Sequence, residues 1–181
     1  EVEGDETILL TLSAPTGETQ LGTDSTAVIT LGDSTPAGYL AWQEGRDFGP
    51  GDESDLLDDP NLDGTTNLAC YACNVPPFPL QASILMPGSG TSGLPHIQRA
   101  GGRLRIEYLR RKAGTFSGLT YRPQFGAELA PGQPGSFADA TETPVVTSID
   151  DIWERVVVED SVSGADRRFG RLLIEYAPPI P

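Results

Sequence analysis

The chain has 181 residues, with 12 Lys and Arg against 26 Asp and Glu, for a formal net charge of −14. That sign of charge excludes a sequence-independent nucleic-acid binder and docking on an anionic membrane, since both need clustered cations. Glycine (21) and proline (16) are abundant and charged residues reach only 21%, which points to loop-rich β-structure rather than a disordered polyelectrolyte.

In chain order, residues 7–12 and 25–31 read as two strands of a hairpin closed by Gly32 and Asp33. Two strands alone are marginal in water, so this first unit, 1–35, is expected to be the tail of a truncated domain. Tyr39, Leu40 and Trp42 suggest a short helical turn, broken by Gly49, Pro50 and Gly51. Acids crowd 52–63, and 67–73 forms a short helix ending near Asn74, ahead of Pro76 and Pro77. These segments make an acidic connector over 36–77. Residues 78–100 are rich in Pro, Gly and Ser and read as a linker. Within it Gly88 to Gly93 lacks the Lys and the following helix of a phosphate loop.

The pattern changes from 101 onward. Leu104, Ile106 and Tyr108 alternate with Arg103, Arg105 and Glu107, as in a half-buried strand. Further strands are predicted over 119–125, where Pro123 implies an edge or a bulge, and over 144–149, 153–159 and 168–176. The fold class is therefore mainly β: an antiparallel, sandwich-like C-terminal domain over 101–181, an N-terminal hairpin, and a connector with one short helix.

The charge is uneven. Residues 1–75 hold 15 of the acids and a single base, Arg46, while 76–181 are neutral, with 11 of each sign. Carboxylates kept close together either share a cation or lie solvated. The first residues carry neither an initiator Met nor a signal-peptide pattern, as expected of a piece of a larger protein. No apolar run reaches the length of a membrane span.

The strongest local motif is Asp59-Pro-Asn61-Leu-Asp63-Gly64-Thr65-Thr66-Asn67-Leu-Ala-Cys70. It follows the calcium-loop pattern D-x-[DN]-x-[DN]-G-x5-E at positions 1, 3, 5 and 6. Alternate residues offer hard oxygens, Gly64 permits the sharp turn, Thr65 offers its carbonyl and Asn67 falls at position 9. Position 12, ordinarily a bidentate Glu, is Cys70, a soft ligand that suits Ca²⁺ poorly. Asp55 or Asp58 would have to substitute. The alternative is an Asx-turn preceding a helix. Cys70 and Cys73, at i and i+3, are expected to close a disulfide, with some strain, as in an exported protein; inert thiols are the alternative, and no βαβ context supports redox catalysis. A single His, His96, leaves no multi-His metal site, and no nucleophile elbow accompanies it. Tyr108, Tyr121, Trp153 and Tyr176 suit cross-strand packing better than a sugar-binding face. The cluster Arg110, Arg111 and Lys112 reads as a charged strand end.

The loop resembles those of thrombospondin type 3 repeats and dockerins. A longer resemblance, over 36–177, is to a C-terminal module of large bacterial surface proteins. It is carried by Trp42, the loop, Leu68, Tyr71 and Ala72, then Arg103-Leu104 with Tyr108, Arg110 and Arg111, Tyr121, Trp153-Glu-Arg155 and Arg167-Arg-Phe-Gly-Arg171. That module usually has Glu and Leu where this chain has Cys70 and Cys73. Residues 1–35 resemble the end of a Calx-beta domain, through Glu3-Gly-Asp-Glu6-Thr, Leu12-Ser-Ala-Pro15 and the strand ending Leu31-Gly-Asp33. That resemblance implies Glu3, Glu6 and Asp33 as calcium ligands. Together these readings imply a non-catalytic, extracellular or cell-surface structural or adhesion module with a Ca²⁺-stabilised joint. Neighbouring domains or a cell-surface glycan would be its partners. A carbohydrate-binding module and a thiol-redox protein are the alternatives.

Overall fold

The computed structural model describes residues 6–13, 16–17, 22–31, 37–51, 53–112, 118–128 and 137–176. As expected from the alternating segments, the chain is mainly β, with antiparallel sheets and two short helices. Strand β1 (Glu6–Thr11) pairs with β2 (Thr26–Leu31), placing Ile8 opposite Ile29 and Leu9 opposite Val28. Among the described residues this ribbon joins no other sheet, and Ile8, Leu9, Leu10, Val28 and Ile29 are exposed across both of its faces.

Two sheets make the sandwich-like body. Strands β3 (His96–Ala100), β4 (Arg103–Arg111), β7 (Val145–Ser148) and β8 (Trp153–Ser163) lie in the order β3-β4-β8-β7. Strands β5 (Leu119–Gly126), β6 (Ala138–Asp139) and β9 (Phe169–Tyr176) lie in the order β6-β5-β9. The two-residue period of a strand puts Leu104, Ile106 and Tyr108 of β4 on one face with Val156 and Val158 of β8. These meet Tyr121 and Phe125 of β5 and Leu172 of β9. Tyr108 and Tyr121 stack with ring centroids 6.0 Å apart. Pro123 sits in β5 opposite Leu172, and β6 begins to pair only at Gln124, which is the edge position a proline tolerates.

The other face of β4 departs from expectation. The alternation puts Glu107 on the polar side of the strand, yet β4 is buried on both faces from Ile106 to Leu109. The cover is the stretch expected to be a linker. Residues 83–94 fold over the sheet, with an isolated parallel bridge between Ile84 and Leu94 and a fully buried Leu85 against Leu109 and Trp153. The Gly88 N–H donates to Glu107 at 2.6 Å, and Arg155 donates to the Gly90 carbonyl at 2.6 Å. Glycine is what lets this segment fold so tightly: a Cβ on Gly93, at φ +137°, would lie 2.6 Å from the Leu85 nitrogen. The linker reading of 78–100 therefore fails, because backbone polar groups in it are the partners of buried charges in the sheet. Its last residues are β3 itself.

Helices α1 (Ala37–Gln43) and α2 (Asn67–Cys73) bring Tyr39, Trp42, Tyr71, Cys70 and Cys73 together with Phe48. This aromatic cluster packs on Leu119, Tyr121 and Ile174 of the second sheet, so the connector and the sandwich share a core. Thr66 caps α2 by accepting from the Ala69 N–H, and Asn74 ends it in the left-handed region at φ +57°. The join is reinforced where the Tyr121 hydroxyl donates to the Ala72 carbonyl at 2.9 Å. Arg111 lies over the rings of Tyr71 and Trp153, at 3.9 and 4.6 Å.

Candidate functional site

The acidic run precedes α2, and one buried side chain organises its first half. Asn67 is fully buried and donates its amide to the carbonyls of Glu53 (2.9 Å) and Asp55 (2.8 Å). The carbonyls of Leu56 and Asp58 accept from the backbone of Leu68 and Asn67, and the Ser54 carbonyl accepts from Tyr39 and Gln43. The chain from 53 to 58 thus points its carbonyls at the protein. Asp58 accepts from the Asp55 N–H at 3.0 Å and closes the turn.

The second half is the predicted loop. Asp59 accepts from the N–H groups of Asp63 (3.2 Å) and Gly64 (2.8 Å), and Asn61 Oδ1 accepts from Asp63 N–H at 3.1 Å. Asp63 accepts from the Thr65 and Ala82 N–H groups, at 2.8 and 2.6 Å, and from Asn61 Nδ2 at 3.3 Å. Gly64 takes φ +85°, the sharp turn the motif requires, and Leu62 takes φ +56° at the exposed tip. Burial pushes the Asp63 carboxyl up, but hydrogen bonds from Ala82, Thr65 and Asn61 outweigh it and hold the group below the usual carboxylate range. Asp63 is therefore charged at neutral pH. Its bond to Ala82, with that of Asn61 to the Leu80 carbonyl at 2.8 Å, ties the loop to the segment leading over the sheet.

Asp59, Asn61 and Asp63 are thus brought together as the spacing predicts. Asn67 is not: its amide protons are spent on the 53–58 turn, and its buried Oδ1 has no hydrogen-bond partner among the described residues. Thr65 is buried beside the loop. Asp55 and Asp58 belong to the preceding turn, where their charges act on Tyr39, whereas Asp59 and Asp63 act on Cys70. Among the described residues no three His, Cys, Asp or Glu side chains converge as a metal site. Glu3 and Asp33 lie outside the described residues, and Glu6 enters only as the first backbone position of β1. Measured against Ca²⁺, which takes 6–8 oxygens, the donor chemistry fits in kind and falls short in number.

Cys70 and Cys73 are free, buried thiols, so the expected disulfide is not formed. Both lie in the same aromatic core; Cys70 also feels the charges of Asp63, Asp59 and Arg46, and Cys73 feels that of Cys70. Burial first, then the loop carboxylates, pushes the Cys70 thiol up to about 12; burial does the same to Cys73. Thiolate chemistry is suppressed accordingly. The folded state keeps protons that unfolded thiols release near pH 9.0, so the stability from these groups is whole below pH 9.0 and is lost as pH rises toward 12. Burial of Tyr39 and Tyr121 acts in the same direction. The urea midpoint should fall steadily from pH 9 to pH 11, and an aromatic disulfide reagent should label both thiols only in denaturant. A flat midpoint to pH 11, or rapid labelling of the native protein, contradicts this.

Of the aromatic residues that would form a sugar-binding face, Tyr108 and Trp153 are buried, and Tyr121 is packed in the interior with its hydroxyl on Ala72. Of the basic strand end, Arg110 pairs with Glu154 at 2.6 Å and Arg111 is stacked between rings. No family model, curated protein or solved structure matches the chain. No helix among the described residues is long and apolar enough to cross a membrane.

Proposed function

We propose that the chain is a non-catalytic, cell-surface structural module whose 59–65 loop takes Ca²⁺ to stiffen the joint between the acidic connector and the sandwich. The observation that supports this reading is the placement of the loop. Asp59, Asn61 and Asp63 sit around a Gly64 turn that runs straight into the capped start of α2, and α2 is packed on the β-sheets through Tyr71 and Ala72. A cation held there would offset the crowded acids and hold the loop, the Ala82 segment and α2 in one arrangement.

The chain's own oxygens would come from Asp59, Asn61 and Asp63, with the Thr65 carbonyl. Cys70 is a neutral thiol at the closing position and adds no hard oxygen, so affinity belongs at the weak end, about 10⁻⁴–10⁻³ M, suited to extracellular calcium. Thermal unfolding in EDTA and in Ca²⁺ tests this. At ten times the dissociation constant the gain should be about 1.4 kcal/mol, a rise of a few degrees in melting temperature. Asp59→Asn should abolish the rise while leaving the EDTA melting temperature within a degree or two. No rise with 10 mM Ca²⁺, or an equal rise in Asp59→Asn, sinks the reading.

A further inference from the structure

Among the described residues the two sheets of the sandwich end in four edge strands, β3 and β7 on one and β6 and β9 on the other. The N–H and C=O groups along an edge are a template for another strand, and charged side chains ordinarily guard them. Arg99 stands in β3, Asp139 in the two-residue β6, and Arg171 and Glu175 in β9. Strand β7 reads Val-Val-Thr-Ser and carries no charge. It pairs with β8 on one side, and no described strand meets its other side. Every residue from 141 to 148 is exposed. Val145 and Val146 point to opposite faces and are 66% and 42% exposed, so both faces of the strand are open.

Charge surrounds this edge instead of standing on it. From 123 to 154 the chain has no Lys or Arg, and Glu142 precedes β7 while Asp150 and Asp151 follow it, all three exposed. Glu142 meets Arg103 only loosely, at 3.7 Å. Val145 also lines a groove of about 370 Å³ with Val157, Glu142, Glu159 and, on β4, Arg103 and Arg105. Arg105 stands opposite Glu159 in the register, so charge is balanced inside the groove and acidic at the edge. Antiparallel pairing of β7 with a second copy, centred between Val146 and Thr147, would turn Glu142 of each copy toward Asp151 of the other. Like charges placed opposite are destabilising. A strand with basic ends meets the same acids favourably.

We propose that the free edge of β7 docks an extended, basic segment of a partner protein as an added strand. Its β-branched side chains would lie beside Val145 and Val146, and Lys or Arg at its ends would face Glu142 and Asp151. Main-chain hydrogen bonds supply the affinity in this mode, and the groove beside Val145 has room for one alternate side chain. The surface includes no residue of the 59–65 loop and needs no calcium there.

The test is fluorescence polarisation of a labelled peptide of alternating valine and threonine with lysines at both ends, titrated with the whole chain in EDTA at physiological salt. Saturable binding in the micromolar range is expected. Glutamates in place of the lysines, or a proline at the centre, should weaken it about tenfold or more, since proline cannot donate to the ladder. Val145→Lys, an exposed change that puts a guarding charge on the edge, should weaken it about tenfold. Asp151→Lys should weaken it about fivefold, whereas Asp166→Lys, the same change at an exposed acid ahead of β9, should leave it within about twofold. Amide hydrogen exchange over 145–148 should slow when the peptide is added. No saturable binding, equal binding of the glutamate or proline peptide, unaltered binding in Val145→Lys, equal weakening by Asp166→Lys and Asp151→Lys, or exchange that the peptide does not slow overturns the proposal. A concentration-dependent dimer of the chain alone, with the same amides already protected, assigns the edge to a second copy and overturns it as well.

Discussion

Arg155→Ala should cost about 3–5 kcal/mol, read as a large fall in the urea midpoint at an unchanged slope. Arg155 Nη1 meets Glu107 Oε1 at 2.6 Å across β4 and β8, and the Glu107 side chain is only 2% exposed. Glu107 also accepts from Gly88, and Arg155 also donates to Gly90, so the pair fastens the covering segment to the sheet. Removing the arginine leaves a buried carboxylate with one close donor. Replacing both partners by apolar residues, Glu107→Leu with Arg155→Met, should recover most of the loss, because the charge that needs a partner is gone. The pH profile gives a second readout. Burial pushes the Glu107 carboxyl up, but Gly88 and Arg155 outweigh it and hold the group below its ordinary 4.5. Its stabilising contribution is therefore present above pH 4.5 and disappears as pH falls through the lower folded value. In Arg155→Ala burial prevails, and the acid transition should move to higher pH. A loss under about 1 kcal/mol, or an acid transition that does not move, rules the account out.

Asn67→Ala is the second large effect, expected at about 3 kcal/mol. The amide is fully buried and satisfies two carbonyls, and stranding a buried acceptor costs about 1–3 kcal/mol each. The loss should be localised as well as large: hydrogen exchange and proteolysis should rise over 53–58 before the sandwich responds. Asn61→Ala, whose amide bond to Leu80 is exposed, should cost less than about 1 kcal/mol. Equal effects of the two variants would show that Asn67 is a loop residue like any other and not the support of the acidic turn.

Asn67 also shows where reading by spacing stops. Position 9 of the motif predicted a ligand, and the helix start at the same residue was predicted correctly. Both follow from local sequence, but the direction of the side chain depends on which carbonyls reach it, and those come from Glu53 and Asp55, more than ten residues earlier. The covering segment is the same kind of case. Its Gly and Ser content suits a flexible linker, and nothing within 83–94 reveals that Glu107 and Arg155 will need its backbone. The one local hint was Glu107 itself, a charge in the middle of a strand whose neighbours Ile106, Tyr108 and Leu109 are all apolar.

By itself the sequence determined what depends on neighbours a few residues apart. Alternation placed β4, β5, β7, β8 and β9 and the hairpin; Thr66 and Asn74 bounded α2; and the Asp59–Gly64 spacing brought three oxygen-bearing side chains to one turn. Only the tertiary structure decided which charges were buried, that Cys70 and Cys73 remained separate thiols, and that Arg111 lay over the rings of Tyr71 and Trp153. Period and capping are properties of a short stretch of backbone, whereas desolvation and charge pairing depend on what packs from far along the chain. The net charge of −14 was legible at once; where its charged groups are buried and how they pair required the fold.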